Sequence, residues 1–155
     1  MKFFKLYIDT LLKLCHQALK RDEIPISAII VDRKTKKIIS KSHNLTIKNK
    51  NPLAHAEIIA IQKALKKKKT KRLDNMDIYC SLEPCTMCSA AIALSRIKNI
   101  YFCIEDKSRG GLINGTKLVF KNFLKYKFSY YYGFEEKKFS KILSNFFKKK
   151  RKKTI

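Results

Sequence analysis

Two short motifs, each placed to open a helix, constrain this chain more than any other feature. His55-Ala56-Glu57 begins one predicted helix and Pro84-Cys85-Thr86-Met87-Cys88 begins another. Cys85 and Cys88 are an i, i+3 pair, so a helical first turn points both sulfurs to one side, about the span a tetrahedral zinc requires. Pro84 suits the start of that helix, because its fixed φ is helical and its missing N–H would have had no intrahelical partner. The helix N-terminus also favours thiolate over thiol. His55 and Glu57 would diverge in mid-helix. At the start of a helix both side chains lean back toward the space beyond it.

The flanking pattern supplies a sheet for these helices. Phe4, Ile8, Leu11, Leu12, Cys15 and Leu19 recur at helical spacing over residues 4–19, which predicts an amphipathic helix. Residues 26–31 and 37–41 are β-branched runs joined by a polar turn, a hairpin pattern. A helix is expected over 54–67, a strand over 77–82, an Ala-rich helix over 85–95 and a strand over 99–104. Such alternation places helices on a sheet. Beyond Gly115 the pattern predicts a helix near 117–124, a short strand near 128–132 and a terminal helix from Glu135 into the basic tail.

Three protein ligands, His55, Cys85 and Cys88, leave a fourth zinc position open, and an open position marks a catalytic rather than a structural metal. Water there would have its pKa lowered from about 15.7 to about 7–9, and Glu57 is placed to carry the displaced proton. A lone CxxC is often half of a four-ligand structural site, but no second CxxC exists here to complete one. Cys15, Cys80 and Cys103 fall inside apolar patterns and read as small buried hydrophobes.

Thirty-six Lys and Arg against 12 Asp and Glu give a formal charge of +24, which favours a polyanionic partner such as nucleic acid. A biased base composition is a competing source of the lysines. The basic runs over 66–72 and 148–153 read most simply as solvated helix ends. Gly110 to Gly115 lacks the residue order of a phosphate-binding loop and reads as a flexible turn. No apolar stretch is long enough to span a membrane, the opening residues do not look like a secretory signal, and the cysteine usage suits a reducing, cytoplasmic setting.

The combination H-x-E with P-C-x-x-C is the signature already described for zinc nucleobase deaminases, with a glutamate that is not a ligand. Within that cytidine/deoxycytidylate deaminase superfamily the chain resembles the bacterial tRNA-specific adenosine deaminases from about Ile24 to Phe147. The resemblance is carried by Glu23-Ile-Pro25, Asn44, Asn51-Pro-Leu-Ala-His-Ala-Glu57, Ser81-Leu-Glu-Pro-Cys-Thr-Met-Cys88, Ser95-Arg-Ile97, Asp106 and Asn145-Phe-Phe147. It implies an α/β fold, a cytidine-deaminase-like three-layer α/β/α arrangement on a five-stranded mixed sheet. It further implies a deaminase domain over 1–147 with a basic tail over 148–155, a homodimer, and conversion of the wobble adenosine of a tRNA anticodon stem-loop to inosine.

Carried over by position, His55, Cys85 and Cys88 would bind Zn2+, and Glu57 would be the general acid and base. Asn44 would contact the base or simply be a turn residue; Asp106 would be a substrate-loop acid or a solvated one. Departures from the family pattern fall at Ser27, at Cys103-Ile104 and near Ile113-Asn114. Two other readings are a free-base or nucleoside deaminase acting on guanine or cytosine, and a non-catalytic RNA-binding module with zinc for folding. Glu57 argues against the latter, since a structural site needs no carboxylate beside an open ligand position.

Overall fold

The structure, a computed structural model, describes residues 2–117 and 126–153. Its elements in chain order are α1 (Lys2–Lys20), β1 (Ser27–Asp32), β2 (Ile38–His43), α2 (Ala56–Lys68), β3 (Met76–Leu82), α3 (Thr86–Leu94), β4 (Asn99–Ile104), β5 (Ser129–Tyr132) and α4 (Glu136–Lys153). The helix expected near 117–124 falls almost wholly outside the described residues. The basic run at 148–153 continues α4, and the run at 66–72 begins as the last turn of α2, where cations complement the helix dipole.

The five strands form one mixed sheet in the order β2-β1-β3-β4-β5. β1 runs antiparallel to both β2 and β3, while β3, β4 and β5 are parallel. This topology leaves β2, β3, β4 and β5 all ending at the same edge of the sheet. Whatever follows those strands is gathered there, as is the segment that enters β1.

Alternation along the strands divides the core into two layers. Ala28, Ile30, Ile78, Cys80, Ile100 and Phe102 face α2 and α3, where Ala56, Ala60, Ala64, Ile92 and Ala93 meet them. Ile29, Val31, Tyr79 and Cys103 face the other way, against Tyr7, Ile8, Leu11 and Cys15 of α1 and Phe139 of α4. The result is the expected α/β/α sandwich. The alanines let α2 lie close to the sheet. On the α1 face Tyr79, Tyr101 and Tyr131 stack across three strands, with ring centroids 4.4 Å and 5.1 Å apart. Cys15, Cys80 and Cys103 are free and buried, as their apolar settings implied.

Phe102 is fully buried on the α2/α3 face and stacks on Tyr132 of β5. Its replacement by alanine is expected to destabilise the fold by about 3–5 kcal/mol, read from the midpoint shift in urea unfolding of the metal-loaded protein. A loss under about 1 kcal/mol would mean that the sheet and helices close the cavity.

Candidate active site and metal centre

The sheet edge where four strands end carries the chemistry. His55 is the residue that caps α2 and Cys85 the residue that caps α3, and neither uses its side chain for the cap. Both side chains are left to face one another. His55 Nδ1 lies 3.7 Å from Cys85 Sγ and 3.6 Å from Cys88 Sγ. Tetrahedral ligation at ordinary Zn–S and Zn–N bond lengths separates sulfur from nitrogen by about 3.5–3.6 Å, so this donor set has the spacing and the chemistry of a zinc site. Among the described residues these three side chains are the one His/Cys/Asp/Glu cluster close enough to share a metal ion.

The electrostatics agree. Cys85 is drawn down to about 4, first by the hydrogen bond with the Cys88 thiol, then by His55 and the Cys88 backbone N–H, against the cost of burial. Cys88 is pushed up by that same sharing and by its burial. His55 is raised, above all by its hydrogen bond with Cys85. One thiolate therefore forms readily beside a histidine, a natural start for binding a dication that displaces the remaining proton.

Glu57 sits in the first turn of α2, 3% exposed, with Oε2 buried and lacking any hydrogen-bond partner among the described residues. A buried carboxylate oxygen without a donor is costly unless something absent from the free chain meets it. Burial pushes this carboxyl up to about 7, where it can both take and give a proton near neutrality.

His55, Glu57 and Cys85 line a cavity of about 960 Å³ shared with Asn44, Asp106, Arg109 and Phe147. Asn44 Oδ1 accepts a 2.9 Å hydrogen bond from Ala56 N, supplying the cap that His55 does not. Its Nδ2 has no hydrogen-bond partner among the described residues. Thus Asn44 is more than a turn residue: it starts α2 and lines the cavity. Asp106 Oδ1 accepts from Ser108 N, Ser108 Oγ and Arg109 N, folding its own loop along the cavity. Glu136, Ser140, Leu143 and Phe147 add one face of α4 to the lining.

Sequence reasoning did not single out Glu83, which is 2% exposed at the end of β3. The loop over 106–114 wraps its carboxylate with backbone N–H groups. The expectation that Gly110 to Gly115 is merely a flexible turn is thereby corrected. A Cβ on Gly110 would collide with the Glu83 carboxyl at 2.3 Å, and one on Gly111 with the α3 turn at 2.8 Å. The only sequence signal was the place of Glu83 directly before Pro84-Cys85; an acid in a basic chain otherwise reads as surface.

The family profile for the cytidine and deoxycytidylate deaminase zinc-binding region matches residues 1–104. The chain belongs to that deaminase family. A tRNA-specific adenosine deaminase of Aquifex aeolicus (strain VF5) is 39% identical over 150 residues, covering 96% of this chain and 97% of the relative. That of Haemophilus influenzae (strain ATCC 51907 / DSM 11121 / KW20 / Rd) is 39% identical over 144 residues, covering 90% and 80%. A solved tRNA:A34 deaminase, studied for A-to-I editing at the wobble position, superposes with a TM-score of 0.86 at 32% identity, covering 90% of this chain and 99% of that one. The guanine deaminase of Nitrosomonas europaea shares the fold at 18% identity, with a TM-score of 0.78 over 90% of this chain and 82% of its own. Deaminases of this family bind zinc, and His55, Cys85 and Cys88 are the residues here that could hold it.

About one zinc per chain is expected on metal analysis, because three protein donors leave a single open position. Cys88→Ala should drop that content several-fold while the purified chain stays folded by circular dichroism. Undiminished zinc in this variant would place the metal elsewhere.

Proposed function

We propose that this chain hydrolytically deaminates the wobble adenosine of a tRNA anticodon loop to inosine, with zinc held by His55, Cys85 and Cys88. The observation that carries the reading is a buried carboxylate oxygen, Glu57 Oε2, with no hydrogen-bond partner among the described residues, beside a zinc-spaced donor set at the cavity. Zinc bound there supplies Lewis acidity and a water far more acidic than bulk water. Glu57 takes a proton from the attacking water at Oε2 and delivers it to the ring nitrogen, then takes the proton left on the new C6 hydroxyl and delivers it to the amine, which leaves C6 as ammonia. Its carboxyl suits both directions because burial brings it to about 7. Asn44 Nδ2 is free to donate to the base, while Ile26, Leu82 and Ile104 give the cavity an apolar wall.

Substrate size and charge favour RNA over a free base. The cavity is near the upper end of the roughly 300–1,000 Å³ typical of ligand pockets, roomier than one base needs. Lys107 and Arg109 line it, and α4 presents exposed Lys148, Lys149, Arg151 and Lys152 just beyond Phe147. An exposed aromatic next to cations suits an unstacked loop base and its phosphates. The high identity to tRNA-specific adenosine deaminases over nearly the whole chain supports the same substrate. We infer with it a cytoplasmic location and a homodimer, for which exposed Ile47, Leu53 and Leu94 offer apolar surface.

The decisive assay supplies an anticodon stem-loop RNA with adenosine at the wobble position, alongside free guanine, cytosine and adenosine. Inosine should form in the RNA alone, and Glu57→Ala should keep its zinc while losing about 10²–10⁴-fold in rate. Ammonia from a free base with unmodified RNA would overturn the substrate reading. Substantial turnover by Glu57→Ala would assign the proton transfers to another group.

The end of α4 is tested separately by replacing Lys148, Lys149, Arg151 and Lys152 with glutamine, which preserves helix propensity. Lys150 is kept because it pairs with Asp22 and lies over the Phe146 ring. The slope of log K against log salt should become shallower by about 0.7–0.9 for each phosphate no longer neutralised. An unchanged slope would mean these cations are only solvated.

A further inference from the structure

We propose that Glu23 and Glu83 are paired positioning residues, each buried carboxylate fixing one loop wall of the substrate cavity. Glu23 is 0% exposed and precedes β1; Glu83 is 2% exposed and follows β3. Burying a carboxylate costs several kcal/mol unless donors surround it, so what surrounds these two shows what they hold.

Glu23 Oε1 accepts from Ile47 N at 3.0 Å and Lys48 N at 2.8 Å, while Oε2 accepts from Thr46 Oγ1 at 3.1 Å. These donors lie in the loop that follows β2, which contributes Asn44, Thr46 and Pro52 to the cavity. Glu83 Oε1 accepts from Leu112 N, Ile113 N and Asn114 N at 3.0, 2.7 and 3.2 Å. Its Oε2 accepts from Asp106 N at 3.0 Å and Asn114 Nδ2 at 2.8 Å. These donors belong to the loop that follows β4, which contributes Glu105 to Arg109. In the sheet order the two parent strands, β2 and β4, flank the central β1 and β3. One glutamate therefore leaves the central pair toward each wall.

The recurrence of one device at both walls separates it from ordinary loop packing. Neither wall lies in a strand or helix of its own, and each turns two or more backbone N–H groups inward onto one anion. Asn114 adds its own Nδ2 to the Glu83 set. The reacting groups, by contrast, stand at the starts of α2 and α3, and the donors to the two carboxylates all come from the loops. Loss of a glutamate should thus release one wall and weaken substrate binding, because the substrate must then order the wall itself. Turnover of bound substrate should change little.

The assignment rests on the tRNA reading only through the substrate used for kinetics, so the primary test needs no substrate. Amide hydrogen exchange is measured on zinc-loaded wild type, Glu83→Gln and Glu23→Gln. Glu83→Gln should speed exchange over 106–114 by about tenfold or more and leave 46–48 unchanged, and Glu23→Gln should do the reverse. Both variants should keep their zinc and raise KM for the stem-loop by about tenfold with kcat within about threefold. Exchange raised throughout the chain, or lost zinc, would make the glutamates general supports of the fold and overturn the proposal. So would unchanged exchange at both loops, or a fall in kcat with KM constant. If Glu83→Gln does not fold, Asn114→Ala keeps the carboxylate and removes one donor, and it should raise exchange over 112–114; no rise there overturns the proposal. A stem-loop left unmodified by wild type would defeat the tRNA reading and leave exchange to decide this one.

Discussion

The meeting of two helix N-termini over one edge of the sheet is the constraint on which the rest of the site depends. α2 and α3 lie on the same face, and each begins with a residue that declines to cap its own helix. The side chains thereby released, His55 and Cys85, point at one another across less than 4 Å. Aligned backbone dipoles at both helix starts favour negative charge there. A thiolate pair and a divalent cation are the species that such a place accommodates best. Asn44, by capping α2 from the end of β2, makes the arrangement possible without leaving Ala56 N unsatisfied.

The sheet topology explains why the substrate cavity opens at this same edge. With β1 reversed and β2, β3, β4 and β5 running together, four exit loops converge where the helices start. Ligand sites at the carboxyl ends of strands are the general result of such sheets. Here α4 packs against β4 and adds an amphipathic face, with Leu143 and Phe147 turned to the cavity and a basic end beyond. The chain thus joins its chemistry and its cationic surface through one helix.

What could be read from the sequence was whatever local periodicity or ligand spacing determines. The strand and helix alternation from Ser27 to Ile104 follows from β-branched runs and helix-start chemistry, and it places both motifs on helix N-termini as expected. The zinc-type cluster was legible because i, i+3 cysteines leave few alternatives once a proline starts the helix. Glu83 and Glu23 were not legible as wall supports, since their partners are backbone N–H groups up to 31 positions away. Backbone donors carry no residue identity, so no pattern of side chains announces them. The glycines escape a sequence reading for a related reason: at Gly110 and Gly111 the missing Cβ serves close approach to Glu83 and the α3 turn, and not flexibility.

These origins divide the molecule's tasks between two kinds of structure. Proton transfer and metal binding belong to first turns of helices anchored in the sheet core, where Ala56, Ala60 and Cys88 are wholly buried. In the reading proposed above, substrate recognition belongs to loops that each fold several N–H groups onto one buried anion. A loop held in that way can change its exposed residues freely so long as its inward N–H groups keep their acceptor. The Pro84 turn is where the two halves touch. Glu83 holds a wall, Cys85 two residues later meets His55, and Gly111 N donates to Pro84 O at 2.8 Å between them.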